Sequence, residues 1–502
     1  MTILPAAGAL AQVAEGRVYV RRIEFEGVTG IDDRVLRREM LQLEGAYLNT
    51  VSLDESLRRL EGLPYVASAS AALRPVENGV VDIVVTIEES PARRYGGGGG
   101  YSESLRTSLH AYYIDENFLG AGRRLAFSLE GSELRSSAEL SYTDPYARRG
   151  GVSRTIALES RRIERLTTDA SPLDADLAGV TLEYGYPMAL SGDAGRSAGP
   201  LGRLVRDARA RLPTAEVRDR SPVLDEILES LQTTACCQSI RFGLDLRRAE
   251  LAPSAGAGPQ LLEWVAANGD RDDAGRTTQI AEADLRVGWR RDTRDRPIFA
   301  ERGIEQTLSF GFALPGSDAE YYVADYDVTA YRPLGARWTA RLRGRLGFGA
   351  AYGGDTTSLP PYLNWFAGGP LTVRGYRENG LGPRDGNGRP YGGNLLLSAQ
   401  LELLTPWPER WRDRARVGFF LDAGNVFSTE DVAFTDDAGR RLDYGFDASA
   451  LRTSVGLAAE VAIPLGILRV SYGIPLDADD DHPNPFLRDD VERFQISIGV
   501  DY

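Results

Sequence analysis

The chain contains no lysine: all 58 of its basic side chains are arginine, a bias that genome composition is enough to explain. Histidine is nearly absent too. His110 and His482 are the two present, and neither has a Ser or Cys motif beside it, so no acid–base or nucleophilic centre is built around them. Cys236 and Cys237 are adjacent. Two thiols without nearby histidine make no metal cluster, and a vicinal disulfide is strained, so two idle thiols are expected. No apolar run reaches the ~18 residues of a membrane-spanning helix. A basic surface is missing as well: the net charge of −14 argues against a nucleic-acid partner, because neutralising phosphates takes clustered cations. These absences leave no enzyme, cofactor or metal to expect.

What remains is 42% hydrophobic content at a mean hydropathy of −0.27. That reads as water-soluble, yet a transmembrane β-barrel has the same signature, because only every second strand residue meets lipid. The start, "MTILPAAGALAQVAEG", is expected to be a signal-peptide remnant or linker over residues 1–16, with "ALA" at 9–11 as a cleavage site. Residues 17–90 read as a small α+β module. "RVYVRRIEFEG" alternates as a strand. Val35, Leu36 and Met40 take helical spacing behind Asp32 or Asp33 as N-cap, and Leu53, Leu57 and Leu60 share one face of a second helix. Two strands follow, near Tyr65–Leu73 and Val80–Glu88, giving the order β-α-α-β-β.

From residue 91 to 502 the pattern is hairpin after hairpin. Ile240, Phe242, Leu244 and Leu246 alternate with Arg241, Gly243, Asp245 and Arg247, and Ala340, Leu342, Leu346 and Phe348 oppose Arg341, Arg343 and Arg345. Turning that charge inwards is sensible only if the interior is wet, as in a transmembrane barrel. About 16 such strands are expected, an even number as bacterial barrels have. Tight connections such as "ENFLGAG" and "TDPYARRG" fall on one side and longer ones on the other. Residues 190–238 break this rule: they lengthen a short-side connection, and Ser221 and Pro222 begin a helix-like stretch there. The insertion is either a tolerated loop or a periplasmic docking element.

Several stretches resemble one family. "RVYVRRIEFEG…VLRREMLQLEGAYLN" is similar to the last POTRA module of the BamA family of outer-membrane protein assembly factors. "ENFLGAG", "SYTDPY", "VRGY", "GGNLLLSAQLELLTP", "GFFLDAGNVF" and "FQISIGVDY" resemble successive landmarks of that family's barrel. The resemblance implies a bacterial outer-membrane location with the POTRA-like module in the periplasm. It implies work without covalent chemistry, on unfolded barrel clients, beside periplasmic lipoprotein partners, the bilayer and lipopolysaccharide. A relative that secretes one dedicated passenger through its pore is the alternative, and an outer-membrane barrel enzyme a weaker one.

Three groups of residues follow. Alternation turns Glu402 and Asp422 towards the lumen, where Arg374 of loop 351–393 would find two acceptors for charge-assisted pairing. Gly375 lets the backbone turn closely, Tyr376 packs on the wall, and the resemblance implies the same holding of the loop arginine by strand carboxylates. The run Gly96, Gly97, Gly98, Gly99 and Gly100 is no phosphate loop, since no GK[ST] follows. It is either a flexible linker or a weak first strand meeting Ser497 and Gly499 of the last, with Gly98 against Ser497. The resemblance implies that this seam opens and templates client strands by edge pairing. Finally, Phe494, Ile496, Ile498, Val500 and Tyr502 alternate up to a terminal aromatic, similar to the signal by which such barrels are themselves recognised. The acidic run Asp479–Asp481 with His482 reads as a solvated outer loop.

Overall fold

The computed structural model describes residues 18–187 and 238–499, apart from residues 78, 104–105, 149–150, 166, 168, 255, 269, 272–276, 297, 355 and 464–465. The leader at 1–16, the insertion before Gln238 with Ser221 and Pro222, Cys236, Cys237, Val500 and Tyr502 lie outside the described residues.

The N-terminal module is built from β1 (Tyr19–Glu26), α1 (Asp33–Glu39), β2 (Ala46–Tyr47), α2 (Thr50–Glu61), β3 (Val66–Glu77) and β4 (Val80–Glu89). Asp32 caps α1 by accepting from the Arg34 N–H at 2.8 Å, and Asn49 caps α2 through Ser52 at 3.1 Å, satisfying orphan donors of each first turn. The sheet runs β2-β1-β4-β3, and the helices lay Val35, Leu36, Leu53 and Leu60 over Val20, Ile23, Ile83 and Val85. Sequence reading misses β2 because two residues carry no period. Beyond Val20 the outer edge of β1 is closed by side chains. The Ile23 N–H donates to Glu44 at 2.7 Å, and its carbonyl accepts from Arg37 at 3.1 Å. That backbone bond holds the Glu44 carboxyl below its ordinary value, aided by Arg37. At the other side of the sheet β3 is the edge strand.

Sixteen strands close the barrel. The first seven are β5 (Arg93–Ser102), β6 (Arg106–Phe118), β7 (Arg123–Ser132), β8 (Arg135–Arg148), β9 (Val152–Arg165), β10 (Pro172–Pro187) and β11 (Gln238–Pro253). After helix α3 (Pro259–Ala267) come β12 (Thr278–Asp292), β13 (Gly303–Ala313), β14 (Tyr321–Leu334) and β15 (Trp338–Ala351). The last five are β16 (Leu395–Pro406), β17 (Ala415–Phe427), β18 (Arg452–Ile463), β19 (Gly466–Pro475) and β20 (Phe494–Gly499). Antiparallel register lines up Leu140, Leu158, Val180, Leu246 and Ala283 in one outward row, the greasy coat a bilayer requires. The opposite faces carry the charges.

The module touches the barrel at the β6–β7 turn and at the end of the strand holding Tyr146. The Asp32 N–H donates to the Gly120 carbonyl at 2.8 Å, the Asn117 amide donates to the Gly30 carbonyl at 2.9 Å, and the Tyr146 hydroxyl donates to Glu39. Gly122 makes this approach possible: a Cβ there would lie 2.8 Å from the Tyr65 hydroxyl and 2.9 Å from Val35. At the opposite mouth, α3 and the outer loops pack Leu251, Leu261, Trp264, Leu359, Phe434 and Phe486 into an apolar cap.

Candidate functional site

Strand period sets the stage for the loop inside the barrel. On β16, Leu396, Ser398, Gln400 and Glu402 are buried on the lumenal face while Leu401 is exposed outside. On β17, Phe420 and Asp422 are buried inside while Phe419 and Leu421 face out. Register puts Glu402 opposite Phe420 and Gln400 opposite Asp422, so the two carboxylates are diagonal neighbours.

Arg374 lies between them. Its Nε and Nη2 donate to the two Asp422 oxygens at 2.7 and 2.6 Å, its Nη1 donates to Glu402 at 2.7 Å, and its backbone N–H donates to Asp422 at 3.0 Å. The guanidinium carbon stands 3.7 Å from the centre of the Phe420 ring, a cation–π contact. Gly375 takes φ +89°, and a Cβ there would meet the Gly473 carbonyl carbon at 3.1 Å. Tyr376 is fully buried; its hydroxyl donates to Asp477 at 2.7 Å, and its carbonyl accepts from the Gln495 amide at 2.7 Å. Gly375 and Tyr376 also pair as a short antiparallel ribbon with Glu492 and Val491.

Sequence reasoning missed several of these partners. Phe420 and Gln495 have lumenal parity, but nothing in the sequence links either to a loop 46 or 119 residues away. Arg341, 1% exposed, stands opposite Glu402; it donates to Glu402 and to Glu460 at 2.8 Å, and Arg416 joins Glu460 at 2.5 Å. Glu402 is therefore shared between a loop arginine and a wall arginine. A second anchor holds the same loop against strands β12 and β14. The Tyr362 hydroxyl donates to Glu282 at 2.5 Å and the Trp365 indole N–H donates to Asp325 at 2.8 Å; within the wall itself, Tyr321 of β14 donates to Asp284 of β12 at 2.9 Å.

The five glycines belong to β5, which removes the linker alternative. Where β5 meets β20, the described residues contain one register pair, Ile498 opposite Tyr101. The β5–β6 ladder has ten such pairs and the β14–β15 ladder fourteen. In the seam's register Ser497 faces Ser102, so the expected match of Gly98 with Ser497 is displaced by four residues. Gly96 lies opposite Tyr112 on β6 and Gly97 opposite Ala111, while a Cβ at Gly98 would fall 2.5 Å from the His110 ring. Gly99 lies opposite Leu109. A Cβ at Gly100 would come within 2.9 Å of the Ile498 carbonyl oxygen, so this glycine permits close approach across the seam. On β20, Gly499 and Ser497 pair with Ile467 and Arg469 of β19, and Phe494 and Ile496 are exposed on the outer face at 59% and 41%.

A closed barrel of this strand number, a lumen-tethered loop and a periplasmic α+β module define a class of outer-membrane proteins. Residues 117–502 match the Omp85 superfamily domain, and the chain belongs to that superfamily. Residues 18–90 match the POTRA family described as a surface antigen variable number repeat. Among individual proteins, the outer membrane protein assembly factor BamA of Neisseria meningitidis is 26% identical over 97% of this chain and 57% of its own length. The chain thus spans little more than half of that curated relative. The crystal structure of Haemophilus ducreyi BamA lacking POTRA domains 1–3 superposes with a TM-score of 0.75 at 25% identity, covering 96% of this chain and 84% of that one. CdiB from Acinetobacter baumannii shares the fold at a TM-score of 0.51 and 12% identity, over 96% of this chain and 74% of that one.

Proposed function

We propose that the chain assembles β-barrel proteins and inserts them into the bacterial outer membrane, with residues 17–90 as a periplasmic POTRA domain and 91–502 as the barrel. The observation that carries this reading is the seam: one register pair among the described residues of β5 and β20, beside ladders of ten and more. Unpaired strand edges are templates for another chain, and strand addition gives affinity through the backbone, without regard to the client's side chains. The edge of β3 offers a second template on the periplasmic side, while the Arg37–Glu44 pair closes the β1 edge. No covalent chemistry or nucleotide enters; free energy comes from the folding clients.

In this reading Arg374, Gly375, Tyr376, Glu402 and Asp422 form a latch that keeps loop 351–393 lodged in the lumen. Phe494, Ile496 and Ile498, with Val500 and Tyr502, form the terminal signal by which the chain itself is recognised. Lipoprotein partners dock on the POTRA domain, and lipopolysaccharide contacts the outer-leaflet belt. Passenger secretion through the pore is disfavoured, because the loop bonded to strands β12, β14, β16 and β17 would have to leave the lumen.

A disulfide between Tyr101→Cys and Ile498→Cys, in a Cys236→Ser/Cys237→Ser background, tests the reading. Directly opposed strand residues satisfy disulfide spacing. Insertion of an unfolded barrel protein into vesicles is expected to fall to the uncatalysed rate when the pair is oxidised and to return on reduction. Undiminished insertion through a locked seam would overturn the proposal.

A further inference from the structure

On strands β14 to β17 the lipid-facing coat changes character near the periplasmic rim. Ala330, Leu342, Leu401 and Leu421 align as one outward row, with the three leucines exposed. The next row towards the periplasm runs Arg332, Ala340, Leu403 and Phe419. A guanidinium therefore stands on the outward face, and Arg332 has no hydrogen-bond or ion-pair partner among the described residues. One row further on, Leu334 pairs with Trp338. Past the end of β16, Trp407 and Trp411 are 67% and 43% exposed. Tryptophans gather where acyl chains give way to headgroups, so Arg332 sits at headgroup depth. Strand parity puts these turns on the side of the β6–β7 turn that touches the N-terminal module, which makes the leaflet the periplasmic one.

The turns around Arg332 are cationic. Residues 332–338 and 407–414 hold five arginines and two carboxylates. Arg412 donates to Glu301 at 2.8 Å and Asp413 accepts from Arg296, so these charges are matched. Arg332, Arg337, Arg410 and Arg414 remain against Glu409 alone. Glu409 lies 3.6 Å from Arg337 with both side chains well exposed, where an ion pair contributes little. Arg410 is stacked over Trp411 at 5.8 Å. In a chain whose net charge is −14, this stretch of rim has the opposite sign.

We infer that the periplasmic rim of β14–β17 binds the phosphate of an anionic glycerophospholipid of the inner leaflet, with Arg332 as its main ligand and Arg337, Arg410 and Arg414 supplying the surrounding positive field. A cation on the outward face, beside acyl chains and without a protein acceptor, is compensated by the phosphate oxygens at that depth. The guanidinium fork matches them two at a time. The aromatic side chains below it hold the glycerol region, and the bound lipid fixes the depth of this wall in the bilayer. The site continues the lipid-facing coat and lies three strands from β20 at its nearest, so its test is independent of the seam and of clients.

The test uses the full chain in phosphatidylethanolamine vesicles that contain brominated phosphatidylglycerol or, at equal mole fraction, brominated phosphatidylethanolamine. Trp289 pairs with the lipid-facing Leu308 and is replaced by Phe, while Trp264 lies in the outer cap and Trp365 is bonded in the lumen. Quenching then reports on Trp338, Trp407 and Trp411. Phosphatidylglycerol is expected to be preferred on the order of tenfold, since each arginine near anionic headgroups is worth roughly fivefold. Arg332→Gln is expected to cut the preference about fivefold and Arg332→Gln/Arg414→Gln to abolish it. Arg332→Lys should retain most of it, because the charge remains. Heat-modifiable gel migration checks that each variant is folded. Equal quenching by the two lipids in the parent chain would overturn the proposal, leaving an aromatic anchor that does not select headgroups or a patch that takes an acidic protein instead. A preference that survives in the double variant would overturn it as well, by placing the phosphate elsewhere.

Discussion

Replacing Arg374 with Ala removes three side-chain hydrogen bonds to two buried carboxylates and the contact with Phe420. The two acceptors are not left alike. Glu402 keeps Arg341, itself almost fully buried, so its charge stays compensated. Asp422 keeps the loop backbone N–H at 3.0 Å and a longer contact from Gln400 at 3.3 Å, neither of which carries charge. Stranding a buried carboxylate costs ~3–5 kcal/mol, and the lost cation–π contact adds ~1 kcal/mol. Water entering the vacated lumen returns part of this, leaving ~3 kcal/mol. The temperature at which the folded barrel converts to its slow-migrating unfolded form, read on gels at a fixed heating rate, is expected to fall by about 5 °C. The asymmetry makes the sharper test. Asp422→Asn should restore part of the loss in the Arg374→Ala background, because it removes the stranded charge, whereas Glu402→Gln should not. Equal rescue by both, or no loss from Arg374→Ala, would refute the assignment of Asp422 as the dependent partner.

Alternation was legible because strand period is a local property. Parity alone placed Glu402 and Asp422 inside and Phe419 and Leu421 outside, as the register has them. What parity cannot supply is the stagger between strands. Arg341 and Glu402 both read as lumenal, yet their contact depends on which residues of β15 and β16 stand opposite. The seam shows the same limit more sharply: closing a barrel fixes a shear between first and last strands, and that shear sets Ile498, rather than Phe494 four residues earlier, against Tyr101. Strand β2 escaped for a different reason, since Ala46 and Tyr47 pair with Val20 and Tyr19 over too short a stretch to alternate.

The second anchor predicts a specific non-additivity. Tyr362→Phe removes one hydroxyl donor to Glu282 and is expected to cost ~1 kcal/mol alone. Combined with Arg374→Ala, it should release the loop and raise protease cleavage within 351–393 beyond the sum of the single effects, an excess that strictly additive cleavage would rule out. Gly375 allows a controlled measurement of how tightly the latch backbone packs. Gly375→Ala places a side chain at φ +89° and 3.1 Å from the Gly473 carbonyl carbon, while Gly439→Ala meets φ +72° with no atom within 4 Å. Both substitutions carry the left-handed backbone penalty of ~1–2 kcal/mol. Only the first must also displace backbone on β19, which cannot swing aside as a flexible side chain would. Gly375→Ala is therefore expected to lower the gel transition clearly more than Gly439→Ala. Equal shifts would mean that the loop backbone does not press on β19 as tightly as the close approach of Gly375 to Gly473 requires.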